Sequence, residues 1–277
     1  MSSNNTSKRN IKRPSESEDY PDLNLHTEKI LVFVKKSPVL SKKYRELVCT
    51  AGITENRKFV RLYPIDFRYL PPSHRYTKYQ WIEIDIEKHQ QDKRLESYRP
   101  NRNTIRLLGK IGTERGWQER KDIFLPLVSK SLEEIQEEWR RNNTSIGLFK
   151  PKEIFLKMEK SSETWGEKEL GSLNQGVLIG PKTKPLDKIP YKFSYQFSCD
   201  DHRCPSHMLT IIDWELSELY RNMKARYGYS MDLVLEKMKE TWEDRMWRSG
   251  RDSYLIVGTH HVFKTPMVLG VFWPPQI

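Results

Sequence analysis

The chain has 277 residues, enough for one large domain or two small ones, and its 36% hydrophobic and 11% aromatic content excludes a wholly disordered protein. Its net charge of +11 favours polyanionic partners such as nucleic acid. No apolar run approaches the roughly 18 residues of a membrane span, and three cysteines cannot build a disulfide framework, so we predict a cytoplasmic protein without a membrane partner.

The first segment, residues 1–26, is rich in serine and asparagine. A basic cluster between Lys8 and Arg13 precedes an acidic one between Glu16 and Asp22. The segment has too little apolar surface to offset the entropy lost on ordering. We predict a disordered, solubilising tail, with contact between its basic cluster and a phosphate backbone as the alternative.

A β-rich basic module is predicted over residues 27–200. Leu47–Ile53 and Lys58–Tyr63 flank a polar turn and predict a hairpin, while Tyr79–Glu87 alternates isoleucine with acidic residues. Further strands are predicted at Ile30–Val34, Thr104–Ile111, Glu153–Met158 and Tyr191–Phe197.

One helix and one long loop interrupt these predicted strands. Ser131 and Glu134 form a capping box that begins the helix. The glycines and prolines of residues 161–190 predict the loop.

The last region, residues 201–277, is predicted to hold a Cys/His loop, a helical pair and a closing β-hairpin, packed on the β module. Apolar residues recur at helical spacing from Ile212, and Gly228 is placed to end that helix. Ser230 caps a second predicted helix that ends at Gly250. The closing strands are predicted at Tyr254–Val257 and Met267–Phe272.

This order of elements predicts an α+β fold: an antiparallel β-barrel or curved sheet, followed by a helical hairpin and a C-terminal β-hairpin. Short strands with regular turns favour a small barrel over a sandwich. A doubly wound parallel fold would need helices between most strands, and the sequence does not predict them.

The positive charge is concentrated between residues 57 and 121, which carry a net charge of +8 and many interleaved aromatic residues. Aromatic rings can stack on bases while arginine and lysine hold phosphates. We therefore predict that nucleic acid, either DNA or RNA, binds to one exposed surface. Its predicted residues are Lys58, Phe59, Arg61, Tyr63, Arg68, Tyr69, Arg75, Tyr76 and Lys78. The alternative is that Phe59 and Tyr63 face the core and Arg61 snorkels from it.

Two cysteines and two histidines lie within nine residues, 199–207. Thiolate and imidazole are ligands that suit Zn²⁺. We predict a structural metal site at Cys199, His202, Cys204 and His207, with Zn²⁺ as the candidate cofactor. His260 or His261 is an alternative fourth ligand, and a metal-free loop of reduced thiols and surface histidines is the competing interpretation.

These features predict a nucleic-acid-associated binding protein with a structural metal site. The alternative is a metal-dependent, nuclease-like hydrolase that combines the Cys/His cluster with an acid such as Asp213, although Asp213 also fits a helix-capping position. Glu83, Asp85 and Glu87 are interpreted as the wet face of a strand rather than as a Mg²⁺ site. A protein–protein adaptor is a third hypothesis, and the sequence identifies no catalytic residue.

Overall fold

The computed structural model describes residues 25–40, 46–162, 187–248, 250–260 and 262–276. The tail predicted over residues 1–26 lies almost wholly outside the described residues, and so does most of the loop predicted over 161–190. Within the described part the fold is mixed α+β, as the sequence predicts.

Every strand predicted from the sequence overlaps a strand of the structure. The strands of the described residues are β1 (His26–Lys35), β2 (Val39–Leu40), β3 (Glu46–Thr54), β4 (Phe59–Ile65), β5 (Gln80–Lys88), β6 (Ser97–Pro100), β7 (Arg106–Lys110), β8 (Val128–Ser129), β9 (Ile146–Phe149), β10 (Glu153–Lys160), β11 (Tyr191–Ser198), β12 (His207–Thr210), β13 (Tyr254–Thr259) and β14 (Pro266–Phe272). The short strands β2, β6, β8, β9 and β12 were not predicted.

Five strands of the described first half close into a barrel. Their order is β1-β3-β4-β6-β5, and β5 pairs back with β1. The pairing of β4 with β6 is parallel, and the other barrel pairings are antiparallel. Ile82, Ile84 and Ile86 are buried with apolar residues of β1, β3 and β4. The alternate side chains of β5 are half-buried and face outward, and Glu83 pairs with Arg106, so this acidic stripe is the outer face of a strand.

The helices of the described residues are α1 (Glu114–Phe124), α2 (Leu132–Asn142), α3 (Trp214–Tyr227) and α4 (Met231–Lys239), and α4 continues into a π-helix (Glu240–Arg248). Ser131 caps α2 and Ser230 caps α4, each accepting a backbone N–H bond, as predicted. The predicted helical pair is α3 and α4, while α1 was not predicted. Its first turn holds three consecutive left-handed residues, Arg115 to Trp117, which no helical pattern anticipates. None of these helices combines the length and the apolar character that a bilayer crossing requires.

Two smaller sheets complete the described fold. Strands β10, β11 and β12 form an antiparallel sheet whose buried side chains pack against α3, α4 and the π-helix. Strands β14, β13, β9 and β8 form the other sheet, in which β13 and β14 are the predicted closing hairpin. One apolar cluster joins this second sheet to the barrel and includes Phe33, Phe124, Leu148, Ile256 and Phe272.

A buried ionic group also joins the barrel to the second half of the chain. The Arg61 guanidinium, on β4, is 6% exposed and lies 3.7 Å from Glu96 Oε1. Arg61 Nη2 donates to Ser145 Oγ at 2.9 Å, and the Ser145 hydroxyl and backbone N–H both donate to Glu96. Nearby, Arg94 Nη1 donates to the Thr259 carbonyl at 3.0 Å. Because charges in the interior are costly without partners, this group fixes how the two halves meet.

Glu96→Ala tests this role. The substitution leaves the Arg61 guanidinium buried without its carboxylate, so we expect the free energy of unfolding to fall by about 3–5 kcal/mol. Glu55→Ala, which removes the exposed pair between Lys29 and Glu55, should cost less than about 1 kcal/mol. Urea unfolding followed by tryptophan fluorescence measures both. Equal losses in the two variants would contradict the role assigned to Glu96.

Candidate metal centre and nucleic-acid interface

A group of four side chains in the second half of the chain could hold a metal ion. Glu133, Cys199, Cys204 and His207 each offer one donor atom, and these atoms lie within 4.8 Å of one another. A tetrahedral zinc site with bonds of about 2.0–2.3 Å needs donors about 3.3–3.8 Å apart. Shifts of about 1 Å in the donor positions would therefore be enough to close the group on an ion.

The turn between β11 and β12 positions three of these donors. Cys199 follows β11 and its backbone N–H donates to Cys204 Sγ at 3.1 Å, while His207 begins β12. The Cys204 backbone N–H donates to the Asp201 carbonyl at 3.0 Å, which closes the turn. Cys199, Cys204 and His207 are near one another in the sequence, and one tight turn holds them close together in space.

The fourth donor comes from the beginning of α2. Glu133 is the second residue of this helix, and its Oε1 lies 2.7 Å from His207 Nε2. Ser131, the cap of α2, donates to Asp201 Oδ2 at 2.9 Å and so ties the helix to the turn. The second carboxylate oxygen, Glu133 Oε2, is buried and has no hydrogen-bond partner among the described residues. An ion at this position would give that oxygen a partner.

The Cys199 thiol lies in surroundings that disfavour its thiolate form. Burial, with Glu133 and Cys204 adjacent, raises the pKa of the Cys199 thiol. A thiol of this kind gives up its proton readily only when a positive charge replaces it. The three cysteines are all free.

His202, which the sequence predicted as a ligand, does not belong to this group. Its side chain is 91% exposed and its Nδ1 lies 3.6 Å from Asp201 Oδ1. The alternative His260 lies elsewhere, in the wall of a cavity beside the barrel, and His261 lies outside the described residues. Sequence reasoning missed Glu133 because it stands far from the cysteines and resembles an ordinary acidic residue at a helix start.

The residues predicted to bind nucleic acid do not share one exposed surface. Tyr76 is 1% exposed and bonds to Thr50, and the Arg68 guanidinium pairs with Glu46. Arg75 donates to the Leu70 and Arg68 carbonyls.

The remaining members of that set are distributed among different cavities. Lys58, which is exposed, and Phe59 line one cavity, and Arg61 and Tyr63 line a second. Lys78 lines a third and forms an ion pair of 2.8 Å with Glu215. Tyr69 is half-buried and lines none of these three cavities.

The third cavity brings together aromatic and basic residues from both halves of the chain. Its volume is about 620 Å³, and we call it the tryptophan pocket. Its lining residues are Lys35, Thr77, Lys78, Tyr79, Lys110, Trp117, Arg120, Trp214, Glu215, Glu218 and Trp273.

Cations lie against the rings of the tryptophan pocket. The Arg120 guanidinium is 3.7 Å from the Tyr79 ring centroid and 4.5 Å from that of Trp117. Lys35 Nζ is 5.1 Å from the Trp214 centroid. Such contacts are stabilising, but they leave the cationic charge unneutralised.

The charge balance of the tryptophan pocket is positive. Its acids already have partners, since Glu215 pairs with Lys78 and Glu218 pairs with Arg221. The other three cations, Lys35, Lys110 and Arg120, have no carboxylate within 4.0 Å among the described residues. The buried Tyr79 hydroxyl also has no hydrogen-bond partner among the described residues. The pocket can therefore accept an anion and a further hydrogen-bonding group.

Comparison with known families divides the chain near the junction of its two halves. A family model described as a domain of unknown function, DUF8758, matches residues 26–126, and another, DUF8757, matches residues 128–277. The chain belongs to the DUF8757 family. All four donors of the metal centre lie in the DUF8757 region, whereas both matched regions contribute to the tryptophan pocket. No curated protein matches the chain.

Asp213, the residue before Trp214 of this pocket, is a buried N-cap. Its Oδ1 accepts the Glu215 backbone N–H at 2.8 Å and so caps α3, while Oδ2 is buried without a partner among the described residues. Capping accounts for this carboxylate without a role in hydrolysis. Burial raises its pKa to about 7, with Glu215 adding to the shift and Lys78 opposing it.

The raised pKa of Asp213 predicts a pH dependence of stability. The folded protein holds this proton more tightly than the unfolded chain does, so the stabilisation is complete below about pH 4 and is lost as the pH rises through about 7. Asp213→Asn keeps the capping oxygen and removes the titration. Between pH 4 and 7 the wild type should lose up to about 4 kcal/mol relative to this variant, measured by urea unfolding at several pH values. Parallel stability curves for the two proteins would contradict the shift.

Proposed function

We propose that this protein binds single-stranded nucleic acid in the tryptophan pocket. The observation that supports the proposal is the occurrence, in one cavity, of three tryptophans and a tyrosine beside three cations that lack a carboxylate partner among the described residues. Phosphates neutralise such cations, and bases stack on aromatic rings without requiring a particular sequence. The proposed ligand is the one predicted from the sequence, but the proposed binding surface is different. Lys78 is the one residue of the predicted set that lines this pocket.

The pocket offers more than one stacking surface. Trp117, Trp214 and Trp273 are all half-buried, so each exposes part of its ring. The Arg120 guanidinium lies on the Tyr79 and Trp117 rings and donates to the Ile111 carbonyl at 2.8 Å, so it adds positive charge to the wall of the pocket but no stacking surface. Lys110, which is exposed at the wall of the pocket, can reach a phosphate of the same strand.

Binding of fluorescein-labelled 12-nucleotide oligo(dT) and oligo(U) to the full chain, measured by fluorescence anisotropy, tests this proposal. The affinity should fall steeply as salt rises, because bound phosphates release counterions. Lys110→Glu should weaken binding about tenfold and lower the salt slope by about 1. Trp117→Leu should cost about 1–3 kcal/mol of binding by removing a stacking ring.

Lys224→Glu is the matched control, since it makes the same charge change on an exposed residue of α3 that does not line the pocket. It should leave the affinity within about twofold of the wild type, because a distant exposed charge is largely screened. Equal weakening by Lys110→Glu and Lys224→Glu would show that net charge alone attracts the strand. Absence of salt-sensitive binding would reject the proposal and favour a protein–protein adaptor.

The ion of the metal centre is, we propose, zinc in a structural role. Two thiols with an imidazole and a carboxylate suit Zn²⁺, and four protein donors leave no open position for substrate. None of the four lines the tryptophan pocket, and Asp213, the acid considered for hydrolysis, caps α3. A structural ion would fasten the start of α2 to the turn between β11 and β12. The cytoplasm suits such a site because its thiols must stay reduced.

Elemental analysis of the purified protein tests the zinc centre, and we expect about one zinc ion per chain. Cys204→Ser, His207→Gln and Glu133→Gln should each lose most of the zinc and lower the Tm, because metal binding and folding are coupled. Cys49→Ser and His202→Gln are matched controls, since both residues lie outside the donor group. Their zinc content should equal that of the wild type. Full zinc content in Glu133→Gln would remove that residue from the centre, and unchanged folding after chelation would contradict a structural role.

A further inference from the structure

A second cavity lies between the barrel and the DUF8757 region, distinct from the tryptophan pocket. Its volume is about 400 Å³, within the range of small-molecule sites. Strands β1, β3 and β4 form one wall, and residues after β12 and around the β13–β14 hairpin form the other. The apolar part of its lining consists of Val34, Leu47, Ala51, Ile212, Met267 and Leu269.

Three cations meet in this cavity, and two of them have carboxylate partners. Arg94 is held by Asp92, with Nη2 2.6 Å from Oδ2, and Arg61 lies 3.7 Å from Glu96. Lys36 has no carboxylate within 4.0 Å among the described residues. Burial lowers the pKa of Lys36, with Arg61 and Arg94 adding to the effect and Cys49 opposing it. With the histidines neutral, the cavity carries one positive charge that no described carboxylate matches.

An unpartnered donor accompanies this charge. Arg61 lines the cavity and is 94% buried, and its Nε has no hydrogen-bond partner among the described residues. Its other nitrogens are engaged, Nη2 with Ser145 and Nη1 with Cys49 Sγ at 3.5 Å. Buried donors rarely stay without an acceptor, because leaving one unsatisfied is costly. The missing acceptor and the unmatched positive charge therefore both point to an anionic ligand.

We propose that this cavity binds a small monocarboxylate with an apolar body, whose carboxylate is held by Lys36 and Arg61. One unmatched positive charge suits a monoanion, whereas a phosphate dianion would leave a negative charge beside Asp92 and Glu96. The aliphatic part of the wall suits the apolar body. This binding site is independent of the proposed nucleic-acid interface, because the two cavities share no lining residue.

Two neighbouring lysines, the last residue of β1 and the residue after it, provide a matched pair of variants. Lys36 lines this cavity, whereas Lys35 lines the tryptophan pocket. Loss of the same charge at adjacent positions therefore separates the two sites.

Cys49 provides a reporter inside the cavity. Its half-buried thiol lines the wall within 3.5 Å of the Arg61 guanidinium. Iodoacetate and iodoacetamide both alkylate a thiolate, with formation of a carbon–sulfur bond and loss of iodide, while the thiol proton passes to the buffer. The two reagents are close in size, and iodoacetate alone carries a carboxylate. Their relative rates at Cys49 therefore report whether the cavity concentrates carboxylates.

The experiment alkylates the full chain as purified and follows the Cys49 peptide by mass spectrometry. The ratio of the iodoacetate rate to the iodoacetamide rate should exceed that of 2-mercaptoethanol by about tenfold or more, since a carboxylate near one unmatched cation gains at least about 1.4 kcal/mol. Lys36→Gln should abolish the excess, Lys36→Arg should retain most of it, and Lys35→Gln should leave it unchanged.

Protection by unreactive compounds identifies the ligand class. Hexanoate should slow alkylation of Cys49 by iodoacetamide, whereas hexanamide and inorganic phosphate should not. A rate ratio equal to that of 2-mercaptoethanol would overturn the proposal, and so would a Cys49 that resists both reagents. Protection by phosphate equal to that by hexanoate would reject the monocarboxylate in favour of a general anion site.

Discussion

The buried guanidinium of Arg61 sets the constraint on which the rest of this structure depends. A charge removed from water must be neutralised within the protein, and here the partners come from both halves of the chain. Glu96 stands at the barrel, and Ser145 stands just before β9 of the second half. The two halves therefore meet in the arrangement that brings Ser145 and Glu96 to this guanidinium. Both large cavities described above have walls from the two halves, so their shapes follow from this arrangement.

The candidate metal centre involves fewer elements and lies in a different part of the fold. Its donors come from the first turn of α2 and from the turn between β11 and β12, so an ion there links two neighbouring elements of the DUF8757 region. Hydrogen bonds from Ser131 to Asp201 and between Glu133 and His207 already hold these elements close. The protein thus combines a buried ionic group between its halves with a local hydrogen-bonded group inside one of them.

Local patterns in the sequence were sufficient to predict much of the fold. Alternation along Tyr79–Glu87 specified a strand with one buried face, and the serines at 131 and 230 marked helix starts, because each pattern acts within a few residues of chain. The same holds for Cys199, Cys204 and His207, which one turn brings together. The left-handed turn that begins α1 has no periodic signal, so that helix was missed.

Long-range matching of charges could not be predicted in this way. The number of basic residues between 57 and 121 does not show which of them form ion pairs. In the folded chain Arg61 pairs with Glu96, and Arg68 pairs with Glu46. Likewise, only the tertiary structure brings Glu133 to the cysteines and places Trp214 and Trp273 in the same cavity as Lys35. Nucleic acid remains the proposed ligand, because the positive charge and aromatic content of the chain do not depend on the fold. The proposed binding surface differs from the predicted one, because the fold decides where each of these residues lies.

The apolar cluster between the barrel and the second sheet has a consequence for how genes of this kind can be arranged. Phe33 and Phe124 from the DUF8758 region are buried against Leu148, Ile256 and Phe272 from the DUF8757 region. Either region synthesised alone would expose this apolar surface to water and would tend to aggregate. Genomes that encode the two regions as separate polypeptides should therefore produce them together, as subunits of an obligate heterodimer.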